Sequence, residues 1–157
     1  MKLVLVAALF AAACGSKPPT TTTTPPAAGS AIDDKAAVVL PDLPFDDLDH
    51  DQRVEFMKQK VVPTMKPLFQ NHDPEGFAGF GCPTCHGESA KQGQYVMPNP
   101  KLPKLDMSHL DKFKKEDVEW MKTQILPTMA GLIGEPVQSP DNPKGFHCFE
   151  CHTQKAP

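Results

Sequence analysis

A chain of 157 residues with a formal net charge of −3, 18 prolines and only 7% aromatic residues is poorly equipped to build a large apolar core. Its lysines and its one arginine are dispersed, which excludes the concentrated basic face of a nucleic-acid binder. Small scaffolds of this composition usually need a staple besides their own packing.

The chain opens with an export signal over residues 1–13: Lys2 gives the charged start, and the apolar stretch after it is too short to span a bilayer. Ala11, Ala12 and Ala13 then lead into Cys14. That arrangement resembles the lipobox of bacterial lipoproteins, with Ala11 where the motif usually has leucine. The resemblance implies an acylated Cys14 at the mature N-terminus and a membrane anchor. The competing reading is an ordinary cleaved signal with an incidental cysteine. Residues 15–44 read as a Thr/Pro-rich tether, because the threonines 20–24 between Pro18, Pro19, Pro25 and Pro26 have nothing to bury and cannot stay helical. A short helix over residues 31–40 is conceivable within it, ended by Pro41 and Pro44.

A folded part is expected from about Phe45. Asp46, Asp47, Asp49 and Asp51 crowd a helix start, where negative charge is favoured. Val54, Met57, Val61, Met65 and Leu68 then step by three and four along one helical face, with Pro63 expected to kink the helix or to start a new turn. Residues 71–81 are turn-rich. Residues 87–106, with Pro98, Pro100 and Pro103, are expected to be irregular. A second helix is expected over about residues 114–126, with Val118, Met121, Ile125 and Met129 on one face, and a loop over residues 131–144.

Two pentapeptides dominate the reading: Cys82-Pro83-Thr84-Cys85-His86 and Cys148-Phe149-Glu150-Cys151-His152. Each is a C-x-x-C-H run, the attachment pattern of a c-type haem. Two cysteines one helical turn apart turn their sulfurs to the same side, and the adjoining histidine is set to reach the iron. They use four of the five cysteines, and Cys14 lies far upstream, so no pair remains for a structural disulfide.

The pentapeptides sit in an internal repeat. Val54-Glu55-Phe56-Met57-Lys58 matches Val118-Glu119-Trp120-Met121-Lys122, and Pro63-Thr64-Met65 matches Pro127-Thr128-Met129. Gly79-Phe80 and Gly145-Phe146 precede the respective cysteines. The expected fold is therefore mainly α, small, loop-rich and haem-stapled, with two tandem helix–loop–C-x-x-C-H units at residues 45–110 and 111–157.

These residues resemble multihaem c-type cytochromes. A methionine-bearing helix followed by C-x-x-C-H is similar to the repeat unit of the tetrahaem cytochrome subunit of photosynthetic reaction centres, over about residues 51–152. This chain departs from that family in having two units and long proline-rich loops. The resemblance implies electron transfer by two covalently held c-type haems, with the second axial ligand on the helix preceding each pair of cysteines. It does not imply service to a reaction centre.

His86 and His152 are the expected proximal ligands. Only Thr153, Gln154, Lys155, Ala156 and Pro157 follow His152, so the second haem must take its distal ligand from upstream. Met65 and Met129 are favoured for the two irons because they lie nearer the cysteines, with Met57 and Met121 as alternatives. Met97, in a Met-Pro loop similar to that of single-haem class I cytochromes c, competes for the first haem. Methionines that are not ligands would pack as core. His50, His72, His109 and His147 read as surface or loop residues, His72 being the best of them for a bis-histidine site. Methionine ligation would raise the reduction potential relative to a second imidazole.

The favoured function is thus a membrane-tethered periplasmic carrier, not an enzyme, exchanging electrons with other redox proteins. A peroxidase-like redox enzyme with one open haem is the enzymatic alternative, although it lacks a candidate distal acid–base pocket. The four cysteines as a zinc site is the non-haem alternative. Lys112, Lys114 and Lys115, interleaved with Asp111, Glu116 and Asp117, read as a solvated face more than as a docking patch.

Overall fold

The computed structural model describes residues 39–155, all within one compact unit. The export signal, Cys14, most of the tether and all but the last two residues of the conceivable helix over 31–40 lie outside the described residues. Among those described, the chain is mainly helical, its extended pairing is confined to isolated bridges, and no helix is long and apolar enough to cross a membrane.

Two long helices, residues 50–72 and 115–133, form the frame. The first is built from α1 (His50–Phe56), a π-helical turn (Met57–Val61) and α2 (Val62–His72). The Asp49 carboxylate accepts from the Gln52 N–H at 2.9 Å while the Gln52 side chain accepts from the Asp49 N–H at 3.0 Å, a reciprocal cap that starts α1. The second helix repeats the plan with α4 (Lys115–Trp120), a π-helical turn (Met121–Ile125) and α5 (Leu126–Ile133). The repeat seen in the sequence is thus a repeat of backbone geometry.

At Pro63 one of the two expected outcomes is found: a new α-helical piece begins at Val62 with Pro63 in its first turn, joined to α1 by a π-helical turn that the sequence did not announce. Pro63 and Pro127 each sit near the start of the second α-helical piece, one residue after the π-turn closes. A proline ring collides with the carbonyl four residues back and offers no N–H to it, and a local i→i+5 turn relieves both problems. In the first helix the Thr64 hydroxyl also donates to the Lys60 carbonyl at 2.7 Å. The second helix runs seven residues beyond its expected end and takes in Gly131, placed in a loop from sequence; packing offsets the roughly 0.5–1 kcal/mol cost of a helical glycine. It stops at Gly134, whose φ of 81° is open to glycine at little cost.

The α2 segment lies against the π-turn of the second helix, and α5 lies against the π-turn of the first, so the helices cross as approximate two-fold mates. Met65, Phe69 and Trp120 form the buried core of this crossing, with Val61, Leu68, Phe77, Phe80, Met121, Ile125, Met129 and Leu132 packed around them. Trp120 meets Phe69 edge to face, centroids 4.9 Å apart, and stacks flat on His72 at 4.0 Å.

The first C-x-x-C-H run is a short helix, α3 (Cys82–His86), and a 3₁₀ turn (Glu88–Gln92) follows it within the stretch expected to be irregular. Pro83 presets the first turn of α3, and the Thr84 hydroxyl accepts from the Gly81 N–H at 3.1 Å. The second run forms only a 3₁₀ turn, Cys148–Glu150.

Candidate functional site

The two C-x-x-C-H turns, one near the middle of the described residues and one near their end, line one cavity of about 1080 Å³, walled mainly by apolar side chains. Single-ligand pockets usually run to ~300–1,000 Å³, so this one exceeds the common upper end. Cys82, Cys85, Cys148, Cys151, His86 and His152 all line it. So do Met57 and Met65 from the first helix, Met121 and Met129 from the second, and Met97 from the intervening loop.

The π-turns explain how paired methionines share a face. Eight residues of regular α-helix turn about 800°, leaving the two side chains about 80° apart. A π-turn absorbs about one extra residue, so the step from Met57 to Met65, or from Met121 to Met129, acts like about seven residues and ends within about 20° of alignment. Met65 is the most enclosed of the four, 4% exposed within the Phe69–Trp120 cluster. Met129 and Met121 pack against the same cluster.

The histidines of the two C-x-x-C-H runs are held differently. His152 Nδ1 lies 2.9 Å from the Pro103 carbonyl oxygen. A carbonyl only accepts, so Nδ1 carries a proton; in the neutral ring Nε2 then keeps a free lone pair, the tautomer of a metal-bound imidazole with an oriented outer hydrogen bond. His86 has Tyr95 edge-on at 5.4 Å, and its Nδ1 is buried without a protein partner. Burial also holds the His86 pKa below the ordinary imidazole value. The unfolded chain therefore takes up a proton near pH ~6.5 that folded His86 refuses, so stability from this residue is full above that pH and declines as pH falls through and below it. The guanidinium midpoint is expected to drop between pH 7.5 and 5.5, with a shallower drop in His86→Gln.

Burial, and then the Cys82 sulfur, push the Cys85 thiol up to about 11. Burial, then Cys85, Glu150 and Cys148, push Cys151 up to about 12. Asn99 hydrogen-bonds the backbone carbonyls of both Cys85 and Cys151, so the two C-x-x-C-H turns lie side by side. Such surroundings resist a thiolate and suit an uncharged sulfur. Among the described residues, no three His, Cys, Asp or Glu side chains gather as ligands of a metal ion.

Of the remaining histidines, His50, His72 and His147 also line the cavity, and His109 does not. His72 Nε2 lies 2.7 Å from the Asp117 carboxylate, tying the first helix to the second. His109 Nδ1 is 2.8 Å from Asp106, and His147 Nδ1 is 3.2 Å from Glu150. His50 lies beside Tyr95, their ring centroids 6.2 Å apart.

Sequence reasoning missed Pro103 and Asn99 as parts of the site. Both lie in the proline-rich stretch after the first C-x-x-C-H, and only the fold carries that stretch to the second.

The chain matches no family model, no curated protein and no solved structure in comparisons with known proteins.

Proposed function

We propose that the chain is an exported electron carrier holding two c-type haems, and no enzyme. The observation that carries this reading is the meeting of both C-x-x-C-H turns and four helix methionines on one large apolar cavity. When bound, such a haem supplies one-electron Fe(III)/Fe(II) chemistry.

The chain's own residues divide the work. Cys82 with Cys85, and Cys148 with Cys151, would hold the porphyrins through thioethers, and His86 and His152 would offer their ring nitrogens to the irons. Pro103 keeps the His152 proton on Nδ1. Met65 and Met129 are the assigned distal sulfurs, with Met57, Met121 and Met97 next in line. The apolar walls exclude water, and thioether ligation raises the potential. The haems would also act as the fold's staple, since the cluster at the helix crossing has only three buried members. At the N-terminus, the signal-like segment and Cys14 support export and a lipid anchor, with other redox proteins as partners.

Oxidised protein is expected to show the weak far-red band of methionine–iron ligation and to resist cyanide, and reduced protein to resist carbon monoxide. Loss of the band in Met65→Ala or Met129→Ala assigns the ligand; retention in both moves it to Met57, Met121 or Met97. Ready carbon monoxide binding would overturn double ligation and favour the peroxidase-like reading. The lack of a gathered ligand set among the described residues weighs against zinc.

A further inference from the structure

Asn99 is 3% exposed, a buried polar side chain in a loop crowded with prolines. Its Nδ2 donates to the Cys85 carbonyl at 2.8 Å. Its backbone N–H donates to the Cys151 carbonyl at 2.9 Å. Cys85 and Cys151 are the equivalent second cysteines of the two C-x-x-C-H runs, so one residue grips the same atom in both turns. The Asn99 side-chain oxygen is occupied as well, accepting from the Lys101 N–H at 2.9 Å, which fixes the amide's orientation.

The grip continues along the strap that Asn99 begins. The Leu105 N–H donates to the Thr153 carbonyl at 3.0 Å, and the Lys155 N–H donates to the Leu105 carbonyl at 2.8 Å. Between them, the Pro103 carbonyl takes the His152 ring proton. A second feature protects the contact from the other side. Gly87, directly after the first run, has a φ of 76°, and a Cβ there would sit 3.3 Å from Asn99 Nδ2. Glycine lets the amide close on the Cys85 carbonyl.

The geometry points to Asn99 as a positioning residue that locks the two haem-attachment turns at one mutual distance and angle, so that the haem pair behaves as a single coupled unit. This rests on the haem reading above. It adds that coupling between the haems is set by a buried asparagine whose hydrogen bonds go to the backbone carbonyls of the two attachment cysteines and whose backbone pairs with His152.

The test uses haem-loaded full-length wild type, Asn99→Ala and Gly87→Ala. Haem content is read by pyridine haemochrome, inter-haem coupling by electron paramagnetic resonance of the oxidised form, and midpoint potentials by redox titration. Both variants are expected to change the coupled spectrum in the same sense and to narrow the separation of the two potentials. Loss of the second haem alone from Asn99→Ala, with the first retained, also supports the clamp. Two attached haems with spectra and potentials overlaying the wild type would overturn it, even if the variant melts earlier, because a merely structural amide lowers stability without moving either readout. A wild type without haem would sink the haem reading, and a normal wild type with silent variants sinks only this inference.

Discussion

Replacing Cys148 and Cys151 together with alanine is expected to leave one covalently attached haem per chain, halving the pyridine haemochrome signal. The Cys82/Cys85 double variant is expected to do the same, because each pair would serve its own porphyrin. Either loss would also remove a large apolar body from a cavity of about 1080 Å³ walled mainly by apolar side chains. Burial of apolar surface stabilises by roughly 25 cal/mol per Å², so a sharp fall in the denaturation midpoint is expected alongside the halved signal. A zinc protein would give no haemochrome in any of these chains. A protein holding one haem across both cysteine pairs would lose the whole signal in each variant.

Trp120→Ala is expected to cost about 3–5 kcal/mol, read as a lower guanidinium midpoint with two haems still attached. Trp120 is one of three residues in the buried cluster at the helix crossing, with Phe69 on its edge and His72 on its face. Domains of this size are stable by only ~5–15 kcal/mol, so the loss is a large part of the whole. Trp120→Phe is expected to be much milder. The indole Nε1 is buried without a partner, so the phenyl ring gives up some contact area and also removes an unsatisfied donor. An equal loss from both variants would contradict the placement of Trp120 at the centre of the crossing.

The elements that were legible in the sequence are those whose signal is local. The three-and-four spacing of Val54, Met57, Val61 and Met65 marks the first helix. The matching Pro-Thr-Met segments pointed to equivalent helices, and the backbone bears this out, π-turn for π-turn. The π-turns themselves were not legible, because proline inside a helical pattern signals trouble without saying whether the chain kinks, stops or widens. The end of the second helix was misread at Gly131, where packing outweighs a weak local preference. Asn99 and Pro103 gave no signal at all. An asparagine and a proline in an irregular stretch look like loop residues, and their meaning comes from contacts about fifty positions away, with Cys151 and His152.

The central claim is that this chain carries two porphyrins bonded through its cysteines. Its most direct test is the intact mass of protein matured in its native host, taken under denaturing conditions that strip any non-covalent ligand. The account predicts a mass two haems above that of the processed polypeptide, with all four cysteines of the C-x-x-C-H runs blocked to alkylation. A polypeptide at its bare mass, with those four thiols free, would contradict it.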